Sequence, residues 1–351
     1  MHLQLCCPEE QSVSHRLAGV TETPRNLVAC PRPVPVCLAL ADLMDCIGNT
    51  PIVHMKQASE ETGCTILAKA EYLNPGGSIK DRIALFIVEQ AEACGKLKPG
   101  STILEVTSGN TGIALSMVGA RKGYRTVIMM PKTVSEERRR MIASFGAELH
   151  LLEELLHIQS AVAHTIELAR ENPGIFLPSQ FSNPDNPLCH ETTTGPEIIE
   201  QTGGRLDAFV MGVGTGGTLM GVGRAIRKAK IRARVVAVEP DECAVMSGGK
   251  PGHHGIQGLA DGFIPEIVRL EEIDEIVRIR TEDAMEMTER IAREEGFLAG
   301  ISAGANVLAA KQVAARLGPG HTIVTILPDR GERYLSLRLD GGWPESRVET
   351  A

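Results

Sequence analysis

Lys80 occupies a place that is electrostatically poor for a lysine. It follows the turn Leu73-Asn74-Pro75-Gly76-Gly77-Ser78-Ile79 and sits inside the apolar period Ile79, Ile83, Phe86, Ile87, Ala91, which predicts a helix with Ser78 as its N-cap. A helix N-terminus carries partial positive charge, so a cation in the first turn is disfavoured, with Asp81 as a neighbouring offset. An amine so placed is a candidate for a lowered pKa and for Schiff-base chemistry with a carbonyl. The competing reading is an exposed surface lysine, and position alone does not separate the two.

Further loops gather polar residues where a strand pattern gives way to a helix pattern. Thr107-Ser108-Gly109-Asn110-Thr111-Gly112 presents hydroxyls, an amide and helix N-terminal N–H groups at one point, which suits a carboxylate or another small anion. Ser, Asn and Thr also cap helices without any ligand, so this loop alone favours neither reading. Gly212-Val213-Gly214-Thr215-Gly216-Gly217-Thr218 allows the backbone to approach a phosphate over a helix N-terminus. No Lys-Ser/Thr follows, so it is not a Walker A loop. Gly212, Gly214 and Gly217 do satisfy GxGxxG, and Glu239 ends the next strand where the ribose-binding acid of a dinucleotide fold would sit. That rival, a nicotinamide-dependent dehydrogenase, leaves Lys80 and the 107–112 loop without a task. Late turns add Gly300-Ile301-Ser302-Ala303-Gly304-Ala305, Leu327-Pro328-Asp329-Arg330-Gly331-Glu332-Arg333-Tyr334, and Gly255-Ile256-Gln257-Gly258 with Asp261-Gly262-Phe263-Ile264-Pro265.

Other reactive residue types read as structural. His253-His254 lacks a third ligand in sequence, and no metal site is expected. Glu136-Glu137-Arg138-Arg139-Arg140 reads as a solvated helix face. Ser108 has no evident His and Asp partners and GxSxG is absent, which argues against a hydrolase triad.

The elements that must hold these loops recur regularly. Apolar runs at 65–70, 102–106, 126–130, 148–152, 209–213, 234–239 and 322–327 alternate with helical patterns at 79–91, 111–123, 135–144, 158–170, 217–229, 282–294 and 304–317. Strands without polar alternation are buried on both faces, as parallel strands are. The pattern predicts an α/β fold of one or two open, mostly parallel sheets, with ligands at the carboxyl ends of the strands. At roughly 150 residues per domain, 351 residues suggest two domains or lobes. A content of 43% hydrophobic and 23% charged residues is that of a globular chain. The net charge of −8 and 3% aromatics argue against nucleic acid and anionic membranes as partners. No apolar run reaches the roughly 18 residues of a membrane span. Nine cysteines, an odd number with no CxxC pair, suggest mostly inert thiols in a reducing compartment. Residues 1–38, rich in Pro and Cys and without an apolar signal core, read as a flexible extension rather than a secretory signal or a metal-binding arm.

In chain order, IGNTP (47–51), NPGGSIKDR (74–82), TSGNTG (107–112), QFSNPDNP (180–187), GTGGT (214–218), GIQGLADGFIP (255–265), GISAG (300–304) and PDRGERYLS (328–336) resemble the cysteine synthase / cystathionine β-synthase family of fold-type II, pyridoxal-phosphate (PLP) dependent enzymes. The likeness covers roughly 300 residues and is strongest to its O-acetylserine sulfhydrylases. It implies a two-lobed, tryptophan synthase β-like catalytic domain over 39–340, with a smaller lobe at about 80–185 inserted in a larger one at about 39–79 and 186–340, and a tail at 341–351. It implies that Lys80 forms the internal aldimine and then serves as the α-proton base. Gly214, Thr215, Gly216, Gly217 and Thr218 would hold the phosphate, and Asn110 the phenolic oxygen. Thr107, Ser108, Gly109, Thr111 and Gln180 would clasp the substrate carboxylate. Many members carry Ser where this chain has Asp329, so Ser302 or Asp329 would face the pyridine nitrogen. Ala260-Asp261 replaces the usual Gly-Ala of its loop, beside the incoming substrates. The implied reaction is β-replacement on O-acetylserine by sulfide, through an α-aminoacrylate, to give cysteine. The alternatives are homocysteine as nucleophile or O-phosphoserine as electrophile. A cytoplasmic homodimer is implied.

Overall fold

The computed structural model describes residues 42–336 except 108, 133 and 153–157. The expectations for residues 1–38, for 341–351 and for Ser108 lie outside the described residues. Ten strands are present among them: β1 (Ile52–His54), β2 (Thr65–Ala70), β3 (Thr102–Val106), β4 (Arg125–Pro131), β5 (Glu148–Leu152), β6 (Ile175–Phe176), β7 (Ala208–Gly212), β8 (Arg234–Pro240), β9 (Glu275–Ile279) and β10 (Thr322–Leu327). The helices are α1 (Lys56–Thr62), α2 (Lys80–Ala93), α3 (Asn110–Lys122), α4 (Glu136–Ser144), α5 (Ile158–Glu171), α6 (Asp185–Thr192), α7 (Thr194–Thr202), α8 (Gly217–Lys228), α9 (Thr281–Arg290) and α10 (Ile301–Leu317).

The strands form two sheets. The larger has the order β1-β2-β10-β7-β8-β9, antiparallel at β1–β2 and parallel elsewhere. The smaller, β5-β4-β3-β6, is parallel throughout and is built wholly from residues between β2 and β7. The apolar runs of the sequence explain the burial. In β7, Ala208 and Val210 face one core cluster while Phe209 and Met211 face another; in β8, Val236 and Val238 oppose Val235 and Ala237 in the same way. A strand with two buried faces has no use for polar alternation. One face packs on α1, α9 and α10, the other on α7 and α8. The smaller sheet buries Ile103, Ile128 and Met130 against Ala84 and Val88 of α2 and Ile113, Leu115 and Met117 of α3.

Several expectations need correction. The helical pattern at 282–294 ends at Arg290 and closes with a π-helical turn, Ile291–Glu295. Helix α10 starts three residues earlier than expected, at Ile301, which brings Ser302 into its first turn. Strands β1, β6 and β9 and helices α1, α6 and α7 are not among the expected elements; β1 and β6, at three and two residues, carry too short a period to stand out. Among the described residues Cys46, Cys64, Cys94, Cys189 and Cys243 are free thiols, and no helix is long and apolar enough to cross a membrane.

Candidate active site

In both sheets the parallel strands aim their carboxyl ends at the loops singled out above. The loop after β2 is stitched to the loop after β10. Ser78 and Asp329 form an antiparallel bridge, and the Ile79 N–H donates to the Pro328 carbonyl at 2.9 Å. Gly76 N–H donates to Asp81 Oδ2 at 2.6 Å, and a Cβ on Gly76 would press on that carboxylate. Helix α2 then begins at Lys80. Its N-cap position is Ile79 rather than Ser78, although the Ser78 hydroxyl accepts the Lys80 N–H at 3.3 Å. Among the described residues the Lys80 ammonium makes no hydrogen bond or ion pair. Burial holds it below the ordinary lysine range, against the pull of the Asp329 and Asp261 charges.

The glycine loop after β7 needs its glycines for three separate reasons. Gly216 caps α8 at φ +86°, in the left-handed region. A Cβ on Gly214 would overlap the Gly258 carbonyl. One on Gly217 would overlap Asn186 Oδ1. The Asn186 amide donates to Thr215 Oγ1 (3.1 Å) and to the Gln180 carbonyl (2.8 Å), so this packing fixes the loop. Thr218 Oγ1 meets His190 Nε2 at 3.2 Å, and His190 Nδ1 meets Thr194 Oγ1 at 2.9 Å. Burial, with the charges of Arg82 and Lys80, holds His190 well below its usual pKa, so the ring is neutral at physiological pH. The first N–H groups of α8 have no intrahelical acceptor; the Gly217 N–H leans on Thr215 Oγ1 at 3.4 Å, and such a helix start could receive an anion.

Asn110 opens α3 with both ends of its amide engaged. Nδ2 donates to Asp329 Oδ2 at 2.6 Å, and Oδ1 accepts from Arg333 Nη1 at 2.5 Å. Asp329 Oδ2 also accepts from the Tyr334 hydroxyl at 2.5 Å. Thr111 Oγ1 donates to Gln180 Oε1 at 2.5 Å, while Gln180 Nε2 donates to the Val106 carbonyl at 3.3 Å. A cleft of ≈ 710 Å³, counting its open mouth, brings together Lys80, Thr107, Asn110, Thr111, Gln180, Gly214, Thr215, Gly216, Thr218 and Ser302. Gly109, Gly217 and Asp329 lie off its wall; Asp329 is buried behind Asn110, so of the two residues expected at the pyridine nitrogen it is Ser302 that meets the cleft.

The wall also includes Arg138, Phe181, Gln257 and Asp261, to which the sequence assigned no catalytic or binding role, although Asp261 was expected beside the incoming substrates. The expected solvated face at 136–140 is a correction. Arg138 is 2% exposed, hydrogen-bonds Gln257 Oε1 and lies 4.6 Å over the Tyr334 ring. A signal existed, since Arg138 shares a helix face with the fully buried Ile142. Phe181 meets Phe263 edge-on at 5.2 Å between centroids. Glu239, the acid of the dehydrogenase rival, is fully buried and accepts from Met246 N–H, Ser247 N–H and the Ser247 hydroxyl, which leaves it no access to a ribose.

A cleft holding an unengaged amine of lowered pKa, an uncapped helix N-terminus flanked by threonine hydroxyls, and a neutral serine fits a ligand that carries a carbonyl, a phosphate ester and a ring nitrogen. A family model described as pyridoxal-phosphate dependent enzyme matches residues 43–329. A cysteine synthase of Staphylococcus aureus is 51% identical over 294 residues, 84% of this chain and 94% of that protein. Among solved structures, O-ureido-L-serine synthase superposes with a TM-score of 0.83 at 45% identity, covering 87% of this chain and 96% of that one. The cysteine synthase of Entamoeba histolytica does so with a TM-score of 0.82 at 43% identity, covering 87% and 92%. This chain belongs to the family of pyridoxal-phosphate-dependent enzymes.

Proposed function

We propose that the protein forms L-cysteine from O-acetyl-L-serine and sulfide. The observation that carries this reading is the unengaged Lys80 amine in a cleft shared with the glycine loop and the Thr107–Thr111 turn, in a chain 51% identical to a cysteine synthase over 294 residues. Gly214, Thr215, Gly216 and Thr218, with the N-terminus of α8, would hold the phosphate ester, and Gly217 lets Asn186 brace that loop. Lys80 would hold the aldehyde carbon, Asn110 the ring oxygen and Ser302 the ring nitrogen. A neutral hydroxyl leaves that nitrogen unprotonated, in contrast to a carboxylate partner. Bound there, the cofactor supplies the electron sink that lets the Cα–H bond break and a β substituent depart.

The rest is done by this chain. Thr107, Ser108, Gly109, Thr111 and Gln180 orient the substrate carboxylate, with the Thr111–Gln180 bond fixing two of them in register. Lys80 Nζ, released when the substrate amine takes its place, removes the proton from Cα and later returns it. Its lowered pKa keeps more of the amine in the basic form. The Phe181–Phe263 pair screens water from the wall. As part of the same reading, the protein works as a cytoplasmic homodimer, which sedimentation and cell fractionation check. The decisive assay offers O-acetylserine, O-phosphoserine and serine, each with sulfide or homocysteine, and identifies products. Cysteine from O-acetylserine and sulfide as the fastest reaction supports the proposal. Cystathionine as the main product overturns it.

A further inference from the structure

Three ionisable side chains line the cleft, and two are accounted for: Lys80 handles the α-proton, and Arg138 is anchored by Gln257 and Tyr334. The third, Asp261, has no partner. Among the described residues its carboxylate makes no hydrogen bond and no ion pair, although it shares the wall with Lys80 closely enough for the two charges to act on each other. Asp261 is only partly buried, so its carboxylate is open to the cleft and no donor among the described residues ties it down.

The backbone beside it is held in a strained conformation. Ala260 has φ +41°, one of four non-glycine residues with positive φ among those described. Its N–H donates to the Val213 carbonyl at 2.9 Å, and its carbonyl accepts from His254 Nε2 at 2.9 Å. Strain that the surroundings enforce from both sides is characteristic of positions that aim a functional group. Phe263, two residues on, packs edge-on against Phe181 and keeps this stretch of wall apolar.

We propose that Asp261 is the base for the incoming nucleophile, so that the site takes it in its neutral, proton-bearing form, as hydrogen sulfide or a small thiol. This rests on the cysteine-forming reading above. As the new bond forms at the substrate β carbon, the S–H bond breaks and its electron pair becomes the S–C bond. The proton passes to an Asp261 carboxylate oxygen. The acetate has already left with the electron pair of its C–O bond, the π pair between Cα and Cβ moves to Cα, where Lys80 returns its proton, and Asp261 gives its own proton to water before the next turnover. Burial raises the carboxyl to about 6, opposed by the Lys80 charge, which gives a base matched to near-neutral working conditions. The other charged or titratable groups around this wall are Lys80 on α2, Arg138 on α4, and His254 on the same loop.

The test compares the loaded wild-type chain with Asp261→Asn. Acetate release from O-acetylserine without any nucleophile reports the first half-reaction and is expected to persist in the variant within a few-fold of wild type, the change being that of the Lys80 amine. If wild type releases none, the cysteine-forming reading fails and this inference falls with it. Sulfide addition is then timed separately. At about pH 6.5, where neutral hydrogen sulfide dominates, the variant is expected to lose about 10²-fold, and at about pH 8.5, where the anion needs no base, the loss shrinks to a few-fold. An equal loss at both pH values, or none at either, overturns the proposal. Two measurements do not depend on that variant's turnover. In wild type alone, the addition rate per total sulfide should stay level below the sulfide ionisation until Asp261 itself protonates; a fall that tracks the sulfide anion overturns the proposal. In the cofactor-free chain, labelling of Lys80 by an aldehyde and borohydride should shift to lower pH in Asp261→Asn, because the anion that raises the amine's pKa is gone. An unmoved midpoint contradicts the placement.

Discussion

The Lys80 ammonium stands unbonded while its neighbours Asn110, Thr111 and Gln180 are all engaged. That contrast supports the proposed division between a group that reacts and groups that orient. Lowering an amine's pKa enlarges its neutral fraction at a given pH, and the neutral form is the one that attacks a carbonyl or takes a proton. Lys80→Ala removes no described hydrogen bond, so the thermal midpoint should stay near that of wild type. Cysteine formation should fall by about 10³-fold or more. A melting curve and a product assay on one preparation check both halves, and near-normal turnover would remove Lys80 from the mechanism. The helix start marked Lys80 as a candidate without deciding it, and the resemblance of the ordered motifs carried the expectation. Arg138 was not legible in the sequence, because it becomes a wall residue through Gln257, a partner more than a hundred residues away in the chain.

At the scale of elements, the glycine loop and α8 work as a unit with α6, which carries Asn186 and His190. Gly217→Ala sets a Cβ against Asn186 Oδ1 and must displace the side chain that braces Thr215. Overpacking of this kind costs about 1–3 kcal/mol, or about a 5- to 150-fold weaker cofactor affinity if the loss falls on the loop. Titrating the cofactor-free protein with PLP and following absorbance measures it; unchanged affinity would show that Asn186 moves freely. The sequence marked this loop as a phosphate site through its glycines. It did not show that two of them accommodate protein atoms, Asn186 and Gly258, instead of a ligand.

For the whole molecule, a buried ionic network joins β2, α2 and α7. Arg82 grips Glu71 (Nε–Oε2 2.7 Å) and Glu197 (Nη1–Oε1 2.7 Å), and Lys69 Nζ reaches Glu197 Oε2 at 2.6 Å. Although burial works in the other direction, Arg82 and Lys69 bring the Glu197 carboxyl down to about 2 from an ordinary 4.5. Because the folded value is depressed, the stability this group contributes is fully present above about pH 4.5 and is lost as pH falls through about 2. One carboxylate shifted this far contributes about 3 kcal/mol. Glu197→Gln should therefore be less stable at pH 7 by about 3 kcal/mol, since it leaves the buried Lys69 without a carboxylate while Arg82 keeps Glu71, and the gap to wild type should narrow steadily toward pH 2. Denaturant titrations at several pH values test this, and a gap that does not change with pH would contradict the assignment.

By itself the sequence determined the alternation of buried strands and helices, the positions of the glycine turns and the placing of Lys80 at a helix start. Those properties are set by neighbours within a few positions: periodicity, turn chemistry and the charge at a helix end. Only the tertiary structure decided that Ser302 rather than Asp329 meets the cleft, that Arg138 is walled in, and that Asp261 stands there unbonded. Each depends on which carboxyl ends the two sheets bring together, and pairings across more than a hundred residues leave no local trace in the chain.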